Sequence, residues 1–182
     1  MNAPQNRVIR AADGLDGRRV AIGLGSSLGE RRRHLERAVD ALDRTPGLRL
    51  LRVSRLVRTP PMRGGTATGW FLNAVAVFDA ELSPREILLR CRALEHASGR
   101  RRSRFWGDRT LDLDVLLDEV FVLDEGDLVV PHPALARRRF VVGPLLEIWP
   151  DAVEPHSGLP LADVQAASGA RPVPVGVLAR HR

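Results

Sequence analysis

Residues Thr110 to Leu117, T-L-D-L-D-V-L-L, alternate polar and apolar side chains with period two before ending on an apolar pair. Successive side chains on a strand point to opposite faces. This stretch therefore predicts a strand that sends Leu111, Leu113 and Val115 into a core and presents Asp112 and Asp114 together on the other face. The chain must accordingly supply a sheet with one buried side and one side that tolerates two adjacent carboxylates.

The elements before it follow in an order that narrows the fold further. Arg18 to Leu24 reads as a short buried strand, and Gly25-Ser26-Ser27-Leu28-Gly29 as a turn into a helix from Glu30 to Asp43, with Leu35, Ala38, Val39 and Leu42 as its apolar stripe. Thr45-Pro46-Gly47 breaks that helix. Leu48 to Val57 and Phe71 to Phe78 are strand-like, separated by a loop from Arg58 to Gly69. Ser83-Pro84-Arg85-Glu86 has the capping-box pattern with proline at the first helical position. Ile87, Leu88, Cys91 and Leu94 then repeat at helical spacing as far as Ser98-Gly99. Beyond the Asp112 strand come two short β runs, Val120 to Leu123 and Leu128 to Val130. A buried helix or strand-helix junction follows from Val141 to Trp149, then a short helix at Leu161 to Ala167. The order β-α-β-β-α-β with appended elements predicts an α+β sandwich of the ferredoxin-like kind.

In 182 residues with 44% apolar side chains there is material for one ordinary core, expected over residues 18–167. Residues 1–17 are expected to be a disordered arm, and 168–182 a disordered tail rich in Pro, Gly and Ala. All 28 basic residues are arginines, so enzymes that depend on a P-loop or Schiff-base lysine are excluded. Tyrosine is absent too, and stacking on a flat ligand must fall to the five Phe, the three Trp or a His. The net charge of +6 is moderately basic. A single cysteine, Cys91, leaves no disulfide framework and fits a reducing cytoplasm. No apolar run approaches a membrane span, and the first residues lack the apolar core of a signal peptide.

The paired carboxylates are the chemical focus. Taken alone, D-x-D on an alternating strand is more often just the solvated face. The context changes the balance, because Gly99 to Arg109 holds five arginines and Arg137-Arg138-Arg139 follows His132. Thr110 to Val130, between these segments, has seven acids and no arginine. Two carboxylates suit Mg²⁺, which also keeps waters and takes phosphate oxygens, while guanidinium groups neutralise the remaining phosphate charge. Arg100, Arg102 and Arg109 are the better candidates, whereas Arg31 to Arg33 read as a solvated helix face. The cationic loop is expected to be mobile and to close over a nucleotide. Trp106 either packs in the core or orders that loop, and His132, between two prolines, either reaches a phosphate or caps a strand. The glycines of Gly23 to Gly29 are spaced unlike a dinucleotide-binding loop and read as a tight turn. A basic nucleic-acid-binding module is the rival from another class, but its sheet would show aromatics where the two aspartates lie.

Gly25-Ser26-Ser27-Leu28-Gly29, Arg58-Thr59-Pro60-Pro61-Met62, Leu72-Asn73-Ala74, Arg104 to Asp114, Val130-Pro131-His132 and Arg138-Arg139-Phe140 occur in one order along the chain. From about Val20 to Leu161 the sequence resembles the 6-hydroxymethyl-7,8-dihydropterin pyrophosphokinase family of folate biosynthesis. The resemblance implies a ferredoxin-like αβα sandwich that moves pyrophosphate as one unit from ATP to the hydroxymethyl oxygen of a reduced pterin, with AMP leaving. It implies that Asp112 and Asp114 hold two Mg²⁺ ions and that Asp112 also borders the pterin. Arg100, Arg102, Arg109, His132 and Arg138 would contact the triphosphate, with Arg100, Arg102 and Arg109 the catalytic arginines, and Glu95, Arg92 and Trp106 would lie near the nucleotide. For the pterin it implies hydrogen bonds from Thr59 and Asn73, backbone contacts from Pro61 and Met62, and stacking by Phe71 and Phe140.

The chain departs from the family's pattern at several points. Ser27 stands where Asn is usual, Phe71 where Tyr is common, Arg92 where Gln often occurs and Asp108 where Pro is frequent. The stretch from Gly99 to Trp106 is one residue shorter than in some relatives. None of these removes an implied metal ligand. The implied ligands are ATP and the pterin, with no nucleic acid and no membrane, and a cytoplasmic monomer is expected.

Overall fold

A computed structural model describes residues 7–8, 17–61, 64–100, 107–164 and 172–179. The centre is an antiparallel sheet built from β2 (Arg18–Ser26), β3 (Leu48–Val53), β4 (Leu56–Thr59), β5 (Phe71–Ala80), β6 (Asp112–Asp118) and β9 (Val173–Gly176). Its order is β6-β2-β5-β4-β9, with β3 also pairing β5. Helices α1 (Arg31–Asp43) and α2 (Pro84–Ala97) connect the strands, which gives the expected βαββαβ ferredoxin-like core. The remaining elements are β7 (Phe121–Asp124), β8 (Val129–Val130), α3 (Arg139–Ile148) and α4 (Leu161–Val164). β1 (Arg7–Val8) completes a small sheet of order β1-β7-β8.

Two cores lie on opposite faces of the large sheet. Leu35, Ala38, Val39 and Leu42 of α1 and Ile87, Leu88 and Cys91 of α2 join Ile22, Leu24, Ala76, Phe78, Leu113 and Val115 on one side. Val141, Val142 and Leu145 of α3 pack with Ala21, Val75, Val77, Leu116 and Leu117 on the other. The sheet is thus sandwiched between helical layers. The α2 start is as the sequence predicts: Ser83 and Glu86 form a reciprocal capping box, and Pro84 occupies the first turn. Burial pushes the Cys91 thiol up to about 12, so it behaves as a small apolar core residue.

Alternation on β6 holds from Asp112 to Val115 and then stops. The pairing with β2 shifts between Ala21 and Ile22, which leaves Leu116 as an extra residue. Leu116 and Leu117 both enter the α3-side core as a result. This bulge explains why the apolar pair ends the period-two pattern.

Three expectations change. The strand expected over Leu48–Val57 is two strands, because Ser54 turns inward; its hydroxyl accepts the Val75 N–H at 2.9 Å, and its own N–H donates to the Val75 carbonyl at 2.9 Å. The segments expected to be disordered each contribute a strand, Arg7–Val8 beside β7 and Val173–Gly176 beside β4. The tail is held through backbone pairing at a sheet edge and by the Ala179 N–H donating to Glu36 at 3.1 Å, while all four β9 residues stay exposed. Composition tracks side-chain burial and carries no signal for pairing of this kind. The Gly23 to Gly29 stretch is not all turn: Gly23 and Gly25 lie within β2, and Gly29 alone of the three has a positive φ, +62°.

Candidate active site

Strand register brings the chemistry together. Asp112 on β6 lies opposite Gly25 on β2, and Gly25 lies opposite Asn73 on β5; Asp114 lies opposite Gly23. A Cβ at position 25 would sit 3.1 Å from Asn73 Oδ1 and 3.6 Å from Asp112 Cβ, so a side chain there would crowd Asn73 and touch Asp112. At position 23 it would meet the bulged Leu116 at 3.2 Å. Above this floor opens a cleft of about 920 Å³.

One end of the cleft is neutral. Asn73 Nδ2 donates to Thr59 Oγ1 at 3.0 Å, and both side chains are buried. Phe71, where β5 begins opposite Thr59, lines the cleft with Pro60, and Phe140, in the first turn of α3, also lines it. A flat heterocycle with polar edges suits such a combination of aromatic faces and amide and hydroxyl groups.

The other end is charged. Asp112 Oδ1 meets Arg109 Nη1 at 2.8 Å and Arg100 Nη1 at 2.9 Å. Arg100 also pairs with Glu95, whose Oε1 accepts the Leu113 N–H at 2.8 Å. Glu95 is thus a buried bracket between α2, β6 and Arg100, and burial raises its pKa. Arg138 Nη1 stands 3.7 Å from Asp114 Oδ2, and its buried Nε has no partner among the described residues. Asp114 keeps 39% of its side chain open to the cleft, yet dense surroundings and the Asp112 charge push its carboxyl up to about 6. His132 Nδ1 accepts the Ala134 N–H at 3.0 Å, which leaves Nε2 carrying the proton. Burial, then the Arg138 charge, lowers its pKa to about 4, so at neutral pH it is an uncharged donor.

The donor set fits a hard divalent cation that is finished by substrate oxygens. Asp112 and Asp114 provide carboxylate oxygens from one strand face, and added positive charge would stabilise this negative pair. Among the described residues no group of three or more His, Cys, Asp or Glu forms a closed metal cage. A site with only two protein carboxylates leaves positions for water and phosphate.

Of the residues singled out in the sequence, the cleft collects Thr59, Phe71, Asn73, Arg92, Glu95, Arg100, Arg109, Asp112, Asp114, His132, Arg138 and Phe140. Pro60 lines it where Pro61 was expected, and Arg92 is held by Asp127 at 2.7 Å. Met62, Arg102 and Trp106, and with them most of the expected mobile loop, lie outside the described residues. The floor glycines Gly23 and Gly25 and the acid Asp127 were missed as cleft residues. The signal for the glycines was their place on a strand beside the D-x-D strand, which only the register makes visible.

A ferredoxin-like sheet carrying paired aspartates faced by arginines, in a cleft also lined by Phe71 and Phe140, has the chemistry of an enzyme that brings a polyphosphate to a flat acceptor. Residues 21–150 match the family 7,8-dihydro-6-hydroxymethylpterin-pyrophosphokinase. Over 135 residues the chain is 44% identical to the 2-amino-4-hydroxy-6-hydroxymethyldihydropteridine pyrophosphokinase of Methylorubrum extorquens, which covers 74% of this chain and 85% of that relative. With the enzyme of the same name from Pseudomonas aeruginosa it shares 42% identity over 133 residues, 73% of this chain and 82% of that one. The fold is similar to that of a Plasmodium falciparum HPPK-DHPS crystal structure, with a TM-score of 0.63, 10% identity, and coverage of 87% of this chain and 45% of that one. The chain belongs to the 7,8-dihydro-6-hydroxymethylpterin-pyrophosphokinase family, and is a transferase of folate biosynthesis.

Proposed function

We propose that the cleft transfers pyrophosphate from ATP to 6-hydroxymethyl-7,8-dihydropterin with the charged end holding the triphosphate and the neutral end holding the pterin. The observation that carries this assignment is the register that sets Asp112 and Asn73 on either side of Gly25, which joins the two ends across a single bare residue. Asp112 and Asp114 would hold two Mg²⁺ ions. Bound magnesium would supply positive charge to the phosphate oxygens.

The pterin lies between Phe71 and Phe140, and Thr59 and Asn73 fix its polar edge. Its hydroxymethyl oxygen attacks the β-phosphorus, a new P–O bond forms there, and the bond from that phosphorus to the oxygen bridging it to the α-phosphate breaks, so AMP leaves. Arg109 and Arg100 turn from Asp112 to phosphate oxygens as charge develops, and Arg138 joins them. His132 donates from Nε2 without adding charge. The hydroxyl proton leaves to water; Glu95 is engaged by Leu113 and Arg100, Asp127 by Arg85 and Arg92, and His132 Nδ1 by Ala134. Positioning carries most of the rate. Among the described residues no helix is long and apolar enough to cross a membrane. A cytoplasmic monomer using these two substrates, with no nucleic-acid or membrane partner, completes the proposal.

Replacing Asp112 or Asp114 by Asn tests it. The amide keeps size and one oxygen but loses the charge that balances a divalent cation. AMP formation with ATP, Mg²⁺ and the hydroxymethyl pterin should fall about 10³-fold while the thermal midpoint stays within a few degrees. Wild-type turnover in both variants at saturating Mg²⁺ would remove the metal assignment and the phosphate end with it.

A further inference from the structure

Asp108 ties together two loops that border opposite ends of the cleft. Its Oδ2 accepts the Thr68 N–H at 3.0 Å and the Thr68 hydroxyl at 3.1 Å, and its Oδ1 accepts the Gly69 N–H at 3.2 Å. These bonds hold its carboxyl below the ordinary Asp range. The next residue, Arg109, is anchored on both sides of its backbone: its N–H donates to Ser27 Oγ at 2.9 Å, and its carbonyl accepts the Ser27 N–H at 2.9 Å. Its guanidinium reaches Asp112 at 2.8 Å, beside that of Arg100. On the opposite loop, Gly69 precedes Trp70, whose carbonyl accepts Arg31 Nη1 at 2.8 Å and whose ring carries Arg58 at 4.8 Å. Phe71, on the pterin side, comes next.

Gly69 makes this approach possible. A Cβ there would stand 3.2 Å from Asp108 Oδ1 and 3.2 Å from the Ser27 carbonyl, tighter than ordinary contact with both loops at once. A carboxylate is needed opposite it, since each of its oxygens meets a backbone N–H, Thr68 on Oδ2 and Gly69 on Oδ1, that can only donate. An amide at 108 would turn an NH₂ toward at least one of them.

We infer that Asp108 is a positioning residue which, through Thr68 and Gly69, fixes the Arg109 segment and the Phe71 strand relative to one another and so aligns the two substrates for transfer. This inference rests on the assignment of the cleft's two ends. It touches neither substrate, so its effect belongs to the step that needs both in register. In-line transfer is sensitive to small misplacement, and an error of about 1 Å can cost about 100-fold in rate.

The experiment is a comparison of turnover with separate binding of each ligand. Asp108→Asn should lower kcat by about 10- to 100-fold, while calorimetric affinities for a non-hydrolysable ATP analogue with Mg²⁺, and for the pterin alone, change less than about 2-fold. Thr68→Val keeps the backbone bond and loses the hydroxyl bond, so it should lower kcat by about 3- to 10-fold. In the Asp108→Asn background it should add little. Unchanged kcat in Asp108→Asn, strictly multiplicative effects in the double variant, or an equal loss in binding and turnover would each overturn the inference. Asp112→Asn measured beside them separates the two levels: if it too retains full AMP formation, the assignment of the ends has failed, and if it alone is inactive, the positioning role has failed by itself. Thr68 is exposed, so its variant remains informative if Asp108→Asn folds poorly.

Discussion

The two ends of the cleft are built on opposite physical plans. At the neutral end, polar groups satisfy each other once, Asn73 to Thr59, and two phenyl rings, Phe71 and Phe140, line the cleft without a charged partner among the described contacts. At the charged end nearly every group is held by another charge: Arg100 and Arg109 by Asp112, Arg100 by Glu95, Arg92 by Asp127. A ligand at the first end adds contacts to a finished surface. At the second it must exchange partners, because a phosphate oxygen competes with Asp112 for the same guanidinium hydrogens. Under the proposed assignment the neutral end therefore governs affinity for the acceptor, and the charged end governs how well developing charge is met.

The sharpest way to break this contrast is Phe140→Ala. If the ring serves the neutral end, pterin affinity should weaken by roughly 1 to 3 kcal/mol, about 5- to 150-fold, while affinity for a magnesium-loaded ATP analogue hardly changes. Calorimetry with each ligand separates the two. Phe140 also packs partly against the α3-side core, so an equal loss for both ligands would assign it to the fold instead.

Gly25→Ala probes the boundary between the ends and should have a smaller effect. Its methyl group would meet Asn73 Oδ1 at 3.1 Å, a distance that needs the amide to shift by a few tenths of an ångström, whereas Asp112 Cβ at 3.6 Å is an ordinary contact. Pterin binding should weaken about 3- to 10-fold through the disturbed Asn73–Thr59 bond. Affinity for the ATP analogue should stay near that of the wild type. A loss confined to ATP would mean that the floor belongs to the charged end.

Much of this arrangement was legible in the residues themselves, for reasons that can be traced. The capping box at Ser83 and Glu86 and the stripe Leu35, Ala38, Val39 and Leu42 are local signals, and both elements form as they specify. Asp112 and Asp114 share a face because side-chain alternation is also local. What the one-dimensional pattern lacked was register. It could not show Gly25 between Asp112 and Asn73, nor Leu116 as the bulge above Gly23, nor Asp127 reaching back to Arg92 from the turn between β7 and β8. The same blindness applies to β9, whose exposed residues are held through the backbone of β4. Ser27 and Asp108 stood out only as departures from a family pattern. Their shared connection to the Arg109 segment is a fact of the fold.

His132 refines the contrast, since it is an uncharged donor set within the charged end. Its proton affinity should identify it directly: an imidazole resonance in a proton NMR titration of the free enzyme should turn over at about pH 4, because burial and Arg138 both oppose the cation. In the unfolded chain a histidine titrates near 6.5. Between those values the unfolded state binds the extra proton, so this residue's contribution to stability is full above about pH 6.5 and is lost as pH falls toward 4. His132→Gln should flatten that part of the wild-type stability profile, and Arg138→Gln should move the His132 midpoint part of the way back toward 6.5. Turnover between pH 7 and 8 should show no inflection from this group. A His132 midpoint near 6.5 in the free enzyme would make it a cation below that pH, and the charged end would then include it there as one more positive charge competing for phosphate.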